Sequence, residues 1–122
     1  MTSHVTSADG TEIAYDQMGS GPPVVVAGGI FCDRRTTQAL AERLADTCTV
    51  VNFDRRGRGQ SGDTPPYAVE REVEDIAALI AAVGGSAALY GHSSGAGLAL
   101  HAAARGVPIT RLVLHEPPYG PD

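Results

Sequence analysis

Residues 87–105 read AALYGHSSGAGLALHAAAR, and this stretch decides the fold. Ala87 to Tyr90 is a short apolar run of the kind that forms a strand buried on both faces. Ser94 to Arg105 is Ala-rich and reads as a helix. Between them, Gly91-His92-Ser93-Ser94-Gly95 fits the pattern G-x-S-x-G. In a chain with fifteen glycines that pattern alone is modest evidence. Its place between a buried strand and a helix says more. A strand that turns at once into a helix forces the corner residue, Ser93, into a strained backbone conformation. The same turn crowds residues 91 and 95, where a Cβ would clash. The helix opening at Ser94 aims unpaired N–H groups and its positive dipole end at the corner. Ser93 is therefore a candidate nucleophile. A serine capping an ordinary helix start is the plainer alternative.

Outward from this stretch the chain falls into similar units. His4 to Ser7 and Glu12 to Asp16 read as two strands around a turn at Asp9-Gly10. Pro23 to Ala27 carries Val24-Val25-Val26, a β-branched run suited to a doubly buried strand, and Gly28-Gly29 breaks it. Arg34 to Ala45 has helical spacing at Leu40, Ala41 and Leu44. Thr49 to Phe53 is a further buried strand, closed by a loop from Asp54 to Pro66. Val69, Val73, Ile76, Ala77 and Ile80 make one helical stripe, opened after Pro65-Pro66 and ended at Gly84-Gly85. Ile109 to Leu114 is the last strand. After an opening hairpin, strands and helices alternate, which predicts a mostly parallel sheet with helices on both faces.

Chemistry in such a sheet collects at the carboxyl ends of the strands. Acyl transfer needs two N–H donors aimed at the developing oxyanion. Ser94, the residue after the candidate nucleophile, is expected to supply one. Ile30, in the loop Ala27-Gly28-Gly29-Ile30-Phe31, is expected to supply the other, with Gly28-Gly29 letting the backbone approach. Gly29, Phe31 and His92 are expected to line the substrate pocket.

Asp54-Arg55-Arg56-Gly57-Arg58-Gly59-Gln60-Ser61 resembles the D-x-R-G-x-G-x-S loop of α/β-hydrolases of the esterase, lipase and C–C hydrolase group. Gly91-His92-Ser93-Ser94-Gly95 follows it at the separation that family shows. The resemblance implies an α/β-hydrolase fold that is incomplete, with the first six strands only. Residues 1–122 would be the amino-terminal part of the catalytic domain. It also implies that the Arg-rich loop is structural and no phosphate or nucleic-acid site. One departure is Gly28-Gly29 where many members have His-Gly.

A larger departure is the base. In the family, a lid and two further strands bearing the acid and the His follow the sixth strand. Within this chain, His4, His92, His101 and His115 are each expected to be solvated or packed instead of catalytic, and Glu116 to open a linker. The expected partner is therefore the carboxyl-terminal half of the hydrolase, in the same or a separate chain, besides a small ester or acyl substrate. The leading reading is a serine hydrolase that forms an acyl-enzyme on Ser93. Alternatives are a C–C hydrolase, a lactonase, a cofactor-free haloperoxidase, or a non-hydrolytic binding or biosynthetic helper. Epoxide hydrolase and dehalogenase chemistry is disfavoured, since each needs a carboxylate where Ser93 stands.

Composition adds exclusions. The net charge is −5 and the chain is 43% hydrophobic, which suits a globular domain. All nine basic residues are Arg, with no cluster that points to nucleic acid. Cys32 and Cys48 share no metal or redox spacing. No stretch has membrane-spanning length, and the first residues lack signal-peptide character. A cytoplasmic protein with neither cofactor nor metal is expected.

Overall fold

The computed structural model describes residues 2–29 and 33–116. Among the described residues the elements run β1 (Thr2–Thr6), β2 (Glu12–Met18), β3 (Pro23–Ala27), α1 (Gln38–Leu44), β4 (Thr49–Phe53), α2 (Val69–Ala82), β5 (Ala87–His92), α3 (Ser94–Ala104) and β6 (Ile109–His115). The strands form one sheet in the order β1-β2-β4-β3-β5-β6. The opening hairpin is antiparallel, as is its join to β4, while β4, β3, β5 and β6 run parallel. This is the α/β architecture that the alternation of elements predicts.

Strand alternation sorts the core into two layers. Val24, Val26 and Val50 face α1 and pack with Ala41, Leu40 and Leu44. Val25, Ala27, Val51, Phe53 and Leu89 face the opposite way, against Ile76, Leu79 and Ile80 of α2 and Leu98, Ala99 and Ala102 of α3. The Val24-Val25-Val26 run is thus buried on both faces. β6 is an outermost strand that pairs with β5, and its Val113 and Leu114 are exposed. No helix among the described residues is long and apolar enough to cross a membrane.

β1 runs Thr2–Thr6 where His4 to Ser7 is expected, and α1 and α2 differ from their sequence reading in start and in buried face. α1 starts at Gln38, four residues later than expected. The Arg34 N–H is taken by the Asp54 carboxylate at 2.6 Å and that of Arg35 by Asp33 at 2.9 Å. The Arg34 carbonyl, which a helix would offer to Gln38 N, accepts instead from Asn52 Nδ2 at 2.7 Å and Thr37 Oγ1 at 3.3 Å, while Gln38 N donates to the Arg35 carbonyl at 3.3 Å, so residues 34–37 form turns instead of a first helical turn. On α2, the buried face includes Glu72 and Asp75 beside Val73, Ile76, Leu79 and Ile80, whereas Ala77 is only half-buried.

The loop after β4 is a polar knot built from its own motif. Asp54 is fully buried and accepts from the backbone N–H groups of Arg34 and Gln60 (2.9 Å), and from Arg34 Nη1. Ser61 Oγ donates to the Asp54 carbonyl at 2.6 Å and accepts from Ala14 N at 2.9 Å, lacing the loop to β2. Arg56 is buried and bonds Asp75 at 2.7 and 2.8 Å and Asp9 at 2.8 and 3.2 Å. Its bond with Asp9, ahead of one from Thr11, holds the Asp9 carboxyl well below the usual carboxylate range. The knot positions Arg55, which matters below.

Gly59 belongs to the knot because its φ is 52° and a Cβ there would overlap the Asp54 carboxylate, standing 2.7 Å from Oδ1. That carboxylate is held from two sides and cannot swing away. Gly59→Ala is expected to destabilise the fold by about 2–4 kcal/mol in chemical denaturation, through positive φ and overlap together. A loss below about 1 kcal/mol would mean that Asp54 is not fixed as described.

Candidate active site

Ser93 lies between β5 and α3 with φ 59° and ψ −122°, a backbone conformation that non-glycine residues rarely adopt. Its N–H donates to the His115 carbonyl at 2.9 Å, and its carbonyl accepts from Ala96 N at 2.9 Å. Its hydroxyl caps nothing on α3, so the plain helix-capping alternative does not describe this serine. A Cβ at Gly91 would overlap the Gly95 carbonyl and stand 2.7 Å from Ala96 Cα. A Cβ at Gly95 would overlap the Ala27 carbonyl and stand 2.7 Å from that of Gly28. The two glycines therefore serve different contacts. Gly91 admits the first turn of α3, and Gly95 admits the end of β3.

Gly28 itself is less constrained, since a Cβ there would make ordinary contact with the Thr37 methyl at 3.5 Å. The close approach of α3 to the Ala27 and Gly28 carbonyls is admitted by Gly95. Gly29 is buried. Ile30 and Phe31, the expected oxyanion donor and pocket residue, lie outside the described residues, as does Cys32. Cys48 is a free, half-buried thiol.

Sequence reasoning missed Arg55. This buried guanidinium grips Glu72 through Nε and Nη2, each at 2.7 Å. Its Nη1 donates to Ser94 Oγ at 3.0 Å and to the Gly28 carbonyl at 3.2 Å. Burial raises the Glu72 carboxyl, but the Arg55 bond and charge and a bond from Tyr67 outweigh it and leave it below its usual value. Burial likewise lowers Arg55, and Glu72 outweighs it. A carboxyl lowered in the folded state stabilises the fold above its ordinary range, and that contribution fades as pH falls through its folded value. The available signal was acids at 72 and 75, three apart on the face of the apolar stripe.

His92 is half-buried and lines a cavity of about 180 Å³ with Thr36, Thr37, Leu40, Tyr90 and His115. Its ring centroid is 4.9 Å from that of His115. The Tyr90 hydroxyl and His115 Nδ1 are 2.7 Å apart. Glu116 Oε1 is 3.5 Å from His92 Nε2 and 3.8 Å from His115 Nε2. These three residues are a group among the described ones whose ligand atoms lie within 4.8 Å of one another. A zinc ion with bonds of about 2.0–2.2 Å would need them closer together. His101 stands beside Arg105 at 3.0 Å and His4 is exposed. Among the described residues, no imidazole hydrogen-bonds the Ser93 hydroxyl.

Comparison with known proteins identifies the family of this fold. Residues 13–122 match a model described as the alpha/beta hydrolase family. The chain is 39% identical over 117 residues to an N-formylmaleamate deformylase of Pseudomonas putida, covering 92% of this chain and 44% of that protein. It is 37% identical over 101 residues to a 2-(acetamidomethylene)succinate hydrolase of Mesorhizobium japonicum, covering 80% and 36%. The crystal structure of an alpha/beta hydrolase from Sphaerobacter thermophilus superposes with a TM-score of 0.95 at 62% identity, over 98% of this chain and 47% of that one. The chain thus spans less than half the length of these relatives.

The unequal demands on Gly28 and Gly95 can be tested directly. Gly28→Ala is expected to change stability by no more than about 1 kcal/mol. Gly95→Ala drives a Cβ into the Ala27 and Gly28 carbonyls at the end of β3 and just beyond it, and should lose about 3 kcal/mol or more, or fail to fold. Thermal or chemical denaturation of the two variants decides it, and a Gly95→Ala loss as small as that expected for Gly28→Ala would show that the β3–α3 contact is softer than described.

Proposed function

The chain belongs to the alpha/beta hydrolase family, and from that premise we propose that it carries the nucleophile of a serine hydrolase acting on a carboxylic ester or related acyl compound. The observation that carries the reading is Ser93 at φ 59°, on a strand-to-helix turn with its hydroxyl uncommitted to the helix. Ser93 Oγ attacks the substrate carbonyl, forming the Oγ–C bond as its proton passes to a base. The resulting oxyanion is met by the N–H groups of Ser94 and Ile30. Collapse of the tetrahedral species breaks the bond to the leaving group, which takes the proton from the base. Water then repeats the sequence on the acyl-enzyme and releases the acid. His92, Gly29 and Phe31 contact the substrate. The chemistry calls for no cofactor.

The acyl group is carried on oxygen or on nitrogen. Relatives named for an N-formyl and an acetamido compound favour including nitrogen. The base and acid come from further polypeptide, continuous with this chain or separate, packed along β6. Support comes from the exposed Val113 and Leu114 on that outermost strand and from the greater length of the relatives. That polypeptide brings an imidazole to about 3 Å from Ser93 Oγ, the reach a general base needs.

The test is fluorophosphonate labelling of the complete protein, with peptide mapping. Label is expected on Ser93, and Ser93→Ala is expected to lose it together with at least about a thousandfold in kcat while remaining folded. A variant keeping a tenth of the wild-type rate would remove Ser93 from the nucleophile's role. No label on the wild-type protein would favour the non-hydrolytic helper instead.

A further inference from the structure

We propose that Arg55 is a positioning residue for the oxyanion hole, joining through one guanidinium the two loops that supply its donors. The proposal rests on the serine-hydrolase reading above and deepens it. The two donors come from distant parts of the chain, Ile30 two residues beyond Gly28, and Ser94 at the start of α3. Each has to lie about 2.7–3.1 Å from the oxyanion, so the loops must be held in register to a fraction of an ångström.

The sheet does not provide that register by itself. Pairing between β3 and β5 ends at Ala27 and Gly91, before either loop reaches its donor. Beyond that rung, Gly95 touches the Ala27 and Gly28 carbonyls by close packing, which sets a distance but no direction. Arg55 supplies direction. Nη1 bonds the Gly28 carbonyl at 3.2 Å, orienting the Gly28–Gly29 peptide. The same nitrogen bonds Ser94 Oγ at 3.0 Å, on the residue that bears the other donor.

The guanidinium is itself held from behind. Its Nε and Nη2 meet both Glu72 oxygens at 2.7 Å, and Tyr67 Oη donates to Glu72 at 2.6 Å. Because Glu72 neutralises the cation, Arg55 acts through geometry and not as a charge on the oxyanion. Lysine cannot substitute, since a point ammonium lacks the planar fork that meets a carboxylate and two further acceptors together.

The experiment uses the complete protein with Arg55→Lys, the paired change Arg55→Met/Glu72→Met, and Ser94→Ala. Active sites are titrated with a fluorophosphonate, so kcat on p-nitrophenyl acetate is expressed per competent site. Affinity for a trifluoromethyl ketone, whose adduct carries an oxyanion, is measured alongside. The paired variant is expected to lose about 10- to 100-fold in kcat per site with KM within about threefold, and to bind the ketone more weakly by the same factor as kcat/KM. Arg55→Lys should not restore the rate. Ser94→Ala, which leaves the ion pair in place, should show a smaller loss of the same kind. A merely structural Arg55 would lower the melting temperature and the number of titratable sites, yet leave kcat per site and ketone affinity unchanged; that result overturns the proposal. If the paired variant does not fold, unchanged values in Ser94→Ala overturn it. If wild-type Ser93 takes no label, the serine-hydrolase reading falls and this proposal falls with it. Labelled wild type with unmoved variants rejects Arg55 alone.

Discussion

A side chain at position 91 would run into the start of α3, and one at position 95 would run into the carbonyls that end β3. The helix therefore begins with its backbone against two strand ends, with no layer of side chains between. With that little space, the chain reverses within a single residue, and Ser93 takes φ 59°. Strain of this kind costs of order 1–3 kcal/mol. It is held by the bond from Ser93 N to the His115 carbonyl and by Ala96, Leu98, Ala99 and Ala102 buried beneath the helix. The tight approach also places the first-turn N–H groups of α3 at the carboxyl edge of the sheet, where the proposed chemistry lies.

Packing fixes how near α3 comes to β3; buried charge fixes how the loops there are turned. Arg55 and Arg56 leave β4 side by side, and each meets a carboxylate of α2 in a two-point bond. Burying such ions costs several kcal/mol apiece, and good geometry little more than offsets it. Apolar residues of similar volume would hold α2 against the sheet as well or better. They could not hold a carbonyl or a hydroxyl at a chosen angle. The use of arginine here is better explained by direction than by stability. Asp54 repeats the logic, holding the start of the segment after Ile30–Cys32 through Arg34 N and the end of its own loop through Gln60 N.

The strands were legible because their signals are local. Val24-Val25-Val26 alternates between two apolar layers, and Asp9-Gly10 closes the hairpin with bonds from Ser7 N to the Thr11 carbonyl and from Gly10 N to the Ser7 carbonyl. The Ser93 turn was legible because both glycines and the flanking elements sit within a few residues. Glu72 and Asp75 were not, because their partners stand 17 and 19 residues away across a loop. An apolar stripe shows which face of α2 is inward, yet two acids on that face look solvated until the arginines are placed. The start of α1 was misjudged for a related reason. Leu40, Ala41 and Leu44 give the helical period, but the Arg34 carbonyl that a helix would use is taken by Asn52, 18 residues on. Long-range polar contacts, and not burial, account for what the sequence hid.

Backbone strain is distributed with the same selectivity. Among the described residues, Ser93 and Glu116 are the non-glycine residues with positive φ, at 59° and 51°. They follow the last paired residues of adjacent parallel strands, since His92 pairs with His115. The bond from Ser93 N to the His115 carbonyl joins the two corners at the same level of the sheet. The other positive-φ positions of these residues are glycines, where no strain arises. Glycine at 93 would relax the turn in the same way but would carry no oxygen. The turn thus keeps its strain at the point where the proposed reaction needs a hydroxyl, and the ladder bond to β6 helps to hold it there.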